Sequence, residues 1–145
     1  MSSDENKAVD FVLVRRMTDR EVVCLLLDRF PDVRDRVCPE ECDLELSTIV
    51  YDSFATIVIE RADDPGFIQS VAFFIDELAE NKDPLVQEVL IICLLEGIAA
   101  EEKVARMIER RMTPHSRSLL HEVETKIYGR VPPAEGQRDG DRSKH

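Results

Sequence analysis

The chain has no tryptophan, two tyrosines and five glycines in 145 residues, and its longest unbroken apolar run, Val89–Leu95, is seven residues. Each shortage excludes something. Few glycines and aromatics, set against many Leu, Ile, Val and Glu, favour helices packed on helices. An apolar run of that length cannot cross a bilayer, which takes about 20 residues. The opening MSSDENKAVD lacks the basic start and apolar core of a secretory signal, so a soluble cytoplasmic protein is expected. The glycines are scattered and none sits in a GxxxxGK context, which removes the phosphate-cradling loop. The three histidines all lie at or beyond position 115, far in sequence from most Ser and Cys candidates for a nucleophile. His121-Glu122 opens like a zinc-protease helix, but Thr125 stands where the second histidine must fall.

The most informative shortage is of positive charge. Between residues 37 and 105 there are sixteen carboxylates and three basic side chains, Arg61, Lys82 and Lys103, for a local net charge of −13. Residues 1–36 carry −1 and residues 106–145 carry +3, giving −11 for the whole chain. Like charges in a compact region repel one another and cost stability. The same field speeds encounter with a positively charged partner. Solvation of the surface is the plain alternative. A nucleic-acid partner is not expected. Arg106, Arg110, Arg111 and Arg117 have no interleaved aromatics, and the acidic body repels phosphates. Those arginines are expected to pair with the chain's own carboxylates or to sit at a helix C-terminus.

What remains is a helical pattern with clear punctuation. Asp64-Pro65, Asp83-Pro84 and Thr113-Pro114 each place a side-chain acceptor at an N-cap and a proline at the first helical position. Thr18-Asp19-Arg20-Glu21 is a capping box. These signals predict helices near 5–16, 19–29, 44–62, 65–81, 84–99, 101–112 and 114–128. The sixth either continues the fifth or starts anew, and Gly129 stops the last. The helix over 44–62 has a polar stripe at Thr48, Asp52, Thr56 and Glu60, with Leu46, Ile49, Val50, Ile57 and Val58 on other faces. The next buries Phe67, Ile68, Val71, Phe74, Ile75 and Leu78. The helix over 84–99 is apolar nearly all round from Val89 to Leu95, so other helices are expected to surround it. The last is expected to bury Leu119, Leu120, Val123 and Ile127. The fold class is therefore all-α: an irregular bundle of six to seven helices forming one domain over 1–129, with 130–145 as a flexible tail.

Searches for chemistry return little. Cys38 and Cys42 are spaced like half of a zinc site, but no second Cys or His pair matches them. Two free thiols in a loop is the expectation, with Cys24 and Cys93 buried in apolar runs. Glu77 and Glu80 resemble one half of a magnesium site on an all-α pyrophosphohydrolase. The following helix offers Glu88 and Glu96 eight apart with Ile92 between them, which is the wrong spacing. No metal, cofactor or catalytic residue is therefore assigned, and the protein is not expected to be an enzyme. Glu96 interrupts an apolar helix. If buried, it needs a bonding partner, such as a neighbouring helix N-terminus, or a ligand.

Three stretches resemble a family of small all-helical bacterial proteins associated with polymorphic toxins and thought to act as immunity proteins. They are Leu25–Pro31, Tyr51-Asp52-Ser53-Phe54, and Asp83–Leu90 continued by Leu94-Leu95-Glu96-Gly97. Together they span about residues 20–100, and the motifs are mostly core-forming. The resemblance implies a non-enzymatic binder that neutralises a cognate toxin effector domain, and the charge map points to a basic target. The alternative is a helical adaptor or regulatory module with a non-toxin partner. Expected partner contacts are Glu40, Glu41, Asp43, Glu45, Asp52, Glu60, Asp63, Asp64, Asp76, Glu77 and Glu80.

Overall fold

The computed structural model describes residues 16–37 and 46–130. The expected helix over 5–16, the Cys38–Cys42 loop, and the tail from residue 131 lie outside the described residues. Within them the chain is all-α, with no strand. Helix α1 is Asp19–Arg29. A 3-10 turn, Pro31–Val33, leads into the short α2, Arg34–Val37. Then come α3, Ser47–Glu60, and α4, Pro65–Glu80. A long central helix follows, made of α5, Pro84–Glu88, a π-helical stretch, Val89–Leu95, and α6, Glu96–Ala99. A break at Ala100–Glu101 separates it from α7, Glu102–Glu109, so the sixth helix starts anew. Helix α8 is Pro114–Tyr128.

The helix starts are built as their residues require. Thr18 accepts from Glu21 N while Glu21 returns a carboxylate oxygen to Thr18 N, completing the capping box. Asp64 accepts from Phe67 N, Asp83 from Leu85 N and Val86 N, and Thr113 from Ser116 N, each ahead of a proline at the first helical position. Helix α8 ends at Gly129, whose φ of 64° is left-handed, and Gly129 N and Arg130 N return to the Thr125 and Glu124 carbonyls.

Other ends are satisfied from across the bundle. Helix α3 has no side-chain cap of its own; Asp19 on α1 accepts from Ser47 N and Oγ instead. The Gln87 amide donates to the Leu78 and Asn81 carbonyls and so closes α4. Asp83 also accepts from Met17 N at 2.6 Å, fixing the entry to α1.

One hydrophobic core joins all the helices. Its centre is aromatic: Phe30, Phe54, Phe67 and Phe74 meet edge-on or tilted, with Phe30 and Phe54 ring centroids 4.9 Å apart. Tyr51 lies beside Phe74, and its hydroxyl donates to the Val22 carbonyl at 2.9 Å. Burial pushes that phenol above its ordinary pKa. All six apolar residues expected from α4 are buried. Corrections fall elsewhere. Leu46 just before α3, Ile49 on it, Ile92 on the central helix and Ile127 on α8 are exposed, whereas Ser116 and Glu124 are buried. The central helix is therefore not surrounded on every side.

Helix α3 and the central helix lie closest. A Cβ placed on Gly97 would stand 2.6 Å from Ala55 Cβ, so only glycine permits this approach. Asp52 is beside Cys93 and Ala55 beside Gly97, so the two helices run in the same direction. Replacing Gly97 with Ala adds helix propensity but overpacks this contact. Gly97→Ala should lower unfolding free energy by about 1–3 kcal/mol in urea denaturation; equal or greater stability would show that the approach is not constrained.

Candidate functional site

Among the described residues the buried carboxylate is Glu124, not Glu96. Glu124 is 0% exposed, while Glu96 is half-buried. An unpaired buried carboxylate is very costly, and Glu124 is held between two arginines. Arg106 of α7 donates to both its oxygens, at 2.6 and 2.5 Å, and Arg130 donates to Oε2 at 2.5 Å. Beside them Glu109 contacts Arg106 at 3.5 Å and His121 Nε2 at 2.8 Å. Arg130 also donates to the Ala99 carbonyl at 2.6 Å and lies over the Tyr128 ring, which ties the end of α8 to the end of the central helix. Sequence reasoning had placed Arg130 in the tail.

Glu109, His121 and Glu124 bring potential ligand atoms within 4.8 Å of one another. The two guanidinium groups decide what this cluster does. A cation would have to share Glu124 with two fixed positive charges already hydrogen-bonded to it. Arg106 and Arg130 hold Glu124 between them, and the cluster closes on itself as a fastening for α7, α8 and the central helix. The nearby arginines serve the same region. Arg111 donates to the Met107 carbonyl and Arg117 to the Met112 carbonyl, at the C-terminal end of α7.

The expected partner contacts separate into groups. Glu40, Glu41, Asp43 and Glu45 lie outside the described residues. Glu60 pairs with Arg36 at 2.7 Å, and this hydrogen bond holds its carboxyl below the ordinary range. Asp64 caps its own helix. Asp76 accepts from Thr113 N, Thr113 Oγ1 and Ser116 Oγ, so it braces the start of α8. Glu77 pairs with Arg29 at a cleft of about 320 Å³ between α1 and α4. Asp52, Asp63 and Glu80 are exposed. Asp76 and Glu77 thus contact different neighbours.

The structure does gather a different set. Cys93 is buried on the central helix, and its thiol is pushed up to about 12, first by burial and then by the charges of Asp52, Glu88 and Glu96 around it. Glu88 and Glu96 were not among the expected contacts. Near them, Ile49 and Ile92 are each 54% exposed. The signal was present in the sequence as Glu88 and Glu96 flanking Ile92 at four-residue steps. It needed Asp52 from α3 to become a face. The other thiol departs from expectation: Cys24 is exposed.

The model of one family matches residues 23–129, from within α1 to Gly129. The chain belongs to the family described as Domain of unknown function (DUF7674). That description names no activity and no partner. No curated protein and no solved structure matches the chain. The DUF7674 match takes in the aromatic core, the Glu124 cluster except Arg130, and the face around Asp52, Ile92 and Glu96.

Two outcomes test this geometry. Arg106→Ala leaves Glu124 with the Arg130 bond alone and should cost about 3–5 kcal/mol in urea denaturation. Adding Glu124→Leu should return much of that loss; if the double variant is as unstable as the single, charge burial is not the cause. In the folded protein near pH 8, a thiol reagent should modify Cys24 and leave Cys93 untouched, read by peptide mass spectrometry. Rapid labelling of Cys93 would contradict its burial and raised pKa.

Proposed function

We propose that the chain is a non-catalytic binding protein that docks a basic protein through its acidic surface. The supporting observation is an imbalance in how charges are spent. Arg29, Arg36 and Arg61 each hold one of the chain's own carboxylates, and Arg106 and Arg130 share Glu124. Asp52, Asp63, Glu80 and Glu88 nevertheless face solvent with no ion pair among the described residues. Self-repulsion of this kind lowers stability, and a cationic partner relieves it. Such a field speeds association and excludes acidic partners and nucleic acid.

The finer form of this proposal is an immunity-type inhibitor that neutralises a toxin effector domain in the bacterial cytoplasm. Its support is the motif resemblance together with the acidity, because effector domains that act on nucleic acid are often basic. An acidic inhibitor then occupies the surface that phosphates would use. Binding needs no cofactor and no membrane; among the described residues no helix is long and apolar enough to cross one.

The test is affinity capture from the native host at low and moderate salt, followed by association kinetics with the purified partner. One basic protein at near-equal stoichiometry is expected, with an association rate that falls steeply as salt rises. A neutral or acidic partner, or a salt-independent rate, would overturn acidic docking. A basic partner with no toxic activity would keep docking, remove the inhibitor form and favour an adaptor.

A further inference from the structure

Helix α3 and the central helix together contain Asp52, Glu60, Glu88 and Glu96 and not one lysine or arginine. Helix α4 and the central helix are as one-sided, with Asp76, Glu77, Glu80, Glu88 and Glu96, but there Asp76 already braces α8 and Glu77 is held by Arg29. On α4, exposed Phe73 is followed one turn later by Glu77, but Glu77 is neutralised by Arg29. On α3 and the central helix, Asp52, Glu88 and Glu96 form no ion pair among the described residues. Glu60, farther along α3, is already held by Arg36.

The face has a definite arrangement. Along the central helix the order is Glu88, Ile92, Glu96, at four-residue steps, so an exposed isoleucine sits between two carboxylates. Along α3, exposed Ile49 precedes exposed Asp52 by three residues. The close approach at Gly97 and Ala55 sets the two rows side by side. The π-helical stretch Val89–Leu95 underlies the face. Such stretches are rare, and single-turn π-bulges recur at functional sites. Five of its seven apolar residues are buried, and Ile92 is turned outward.

We infer that this face is the docking site for a basic amphipathic helix of another protein, whose apolar stripe covers Ile49 and Ile92 while its Lys and Arg side chains meet Asp52, Glu88 and Glu96. The inference rests on the acidic-docking proposal and gives it a location and an occupant. Charge complementarity selects the occupant. A second copy meeting through the same face would set carboxylate against carboxylate, and nucleic acid would be repelled. A purely polar basic loop would leave the isoleucines uncovered. From Glu88 to Glu96 is about two turns of helix, so the matching cations stand about two turns apart on the partner. Ile92 takes the central position where apolar anchors contribute most, and the carboxylates form the rim.

The experiment uses the full chain, isotopically labelled, and two synthetic probes of equal length and charge: a Leu/Lys amphipathic helical peptide and a Ser/Lys peptide without an apolar stripe. The Leu/Lys peptide should shift amide resonances confined to residues 47–60 and 84–99 and should bind more tightly than Ser/Lys. Ile92→Ser should weaken it about tenfold, as should Asp52→Asn, Glu88→Gln and Glu96→Gln combined. Asp63→Asn with Glu80→Gln should change affinity less than about twofold. These sites are exposed or half-exposed, and a thermal melt checks that each variant folds. Leu/Lys binding with shifts centred on the Arg29–Glu77 cleft would overturn this location and leave acidic docking standing. Equal binding of both peptides, unaffected by Ile92→Ser, would overturn the amphipathic occupant. If neither binds at low salt, both the location and acidic docking fall.

Discussion

The rest of the structure depends on how closely α3 approaches the central helix. Gly97 has no Cβ and Ala55 has only one, so the backbones come nearer than any larger pair allows. That contact buries one side of an apolar run and draws Asp52 to the Cys93 thiol. Because the two helices run in the same direction, their connection must return the chain to the far end, and α4 serves as that return. Its aromatic face, Phe67 and Phe74, meets Phe30 and Phe54 and fills the space the crossover creates. The aromatic core and the acidic apolar face are therefore two sides of one packing arrangement.

Much of the fold was legible because its signals are local. A side-chain acceptor before a proline reports a helix start through chemistry confined to three or four residues, as at Asp64, Asp83 and Thr113, and the Thr18 capping box is equally local. The α4 core was legible because its period matches its burial. Illegible were the caps supplied from a distance. Asp19 serves Ser47, Asp76 serves Thr113 and Ser116, and Arg130 serves Ala99. Nothing in a local pattern distinguishes such an acid from a solvated one, which is why Asp76 looked like a surface contact. Glu124 was hidden for the same reason. Its partners come from α7 and from beyond the end of α8, and an acid on a helix reads as exposed unless its counter-charges are seen.

The proposed docking face was half legible. The spacing of Glu88, Ile92 and Glu96 stood out only as a failed magnesium motif, and Ile92 was expected to be covered because the run around it is apolar throughout. Periodicity describes how many sides of a helix are hydrophobic, but whether a neighbour covers each side is a property of topology. The π-helical stretch adds to this, since a change in residues per turn rotates side chains away from positions an α-helical period assigns. Part of the charge asymmetry is carried into the structure: Asp52, Glu88 and Glu96 have no ion pair among the described residues.

The most direct test of the central claim is site-specific photo-crosslinking in the native host. A photo-reactive amino acid would replace Ile92 in one variant and Phe73, equally exposed on α4, in another. If the face of α3 and the central helix is where a basic helix docks, position 92 should capture one basic protein through a helical segment, and position 73 should not. Capture from position 73 alone would contradict the account, and so would capture at position 92 of a protein without basic character.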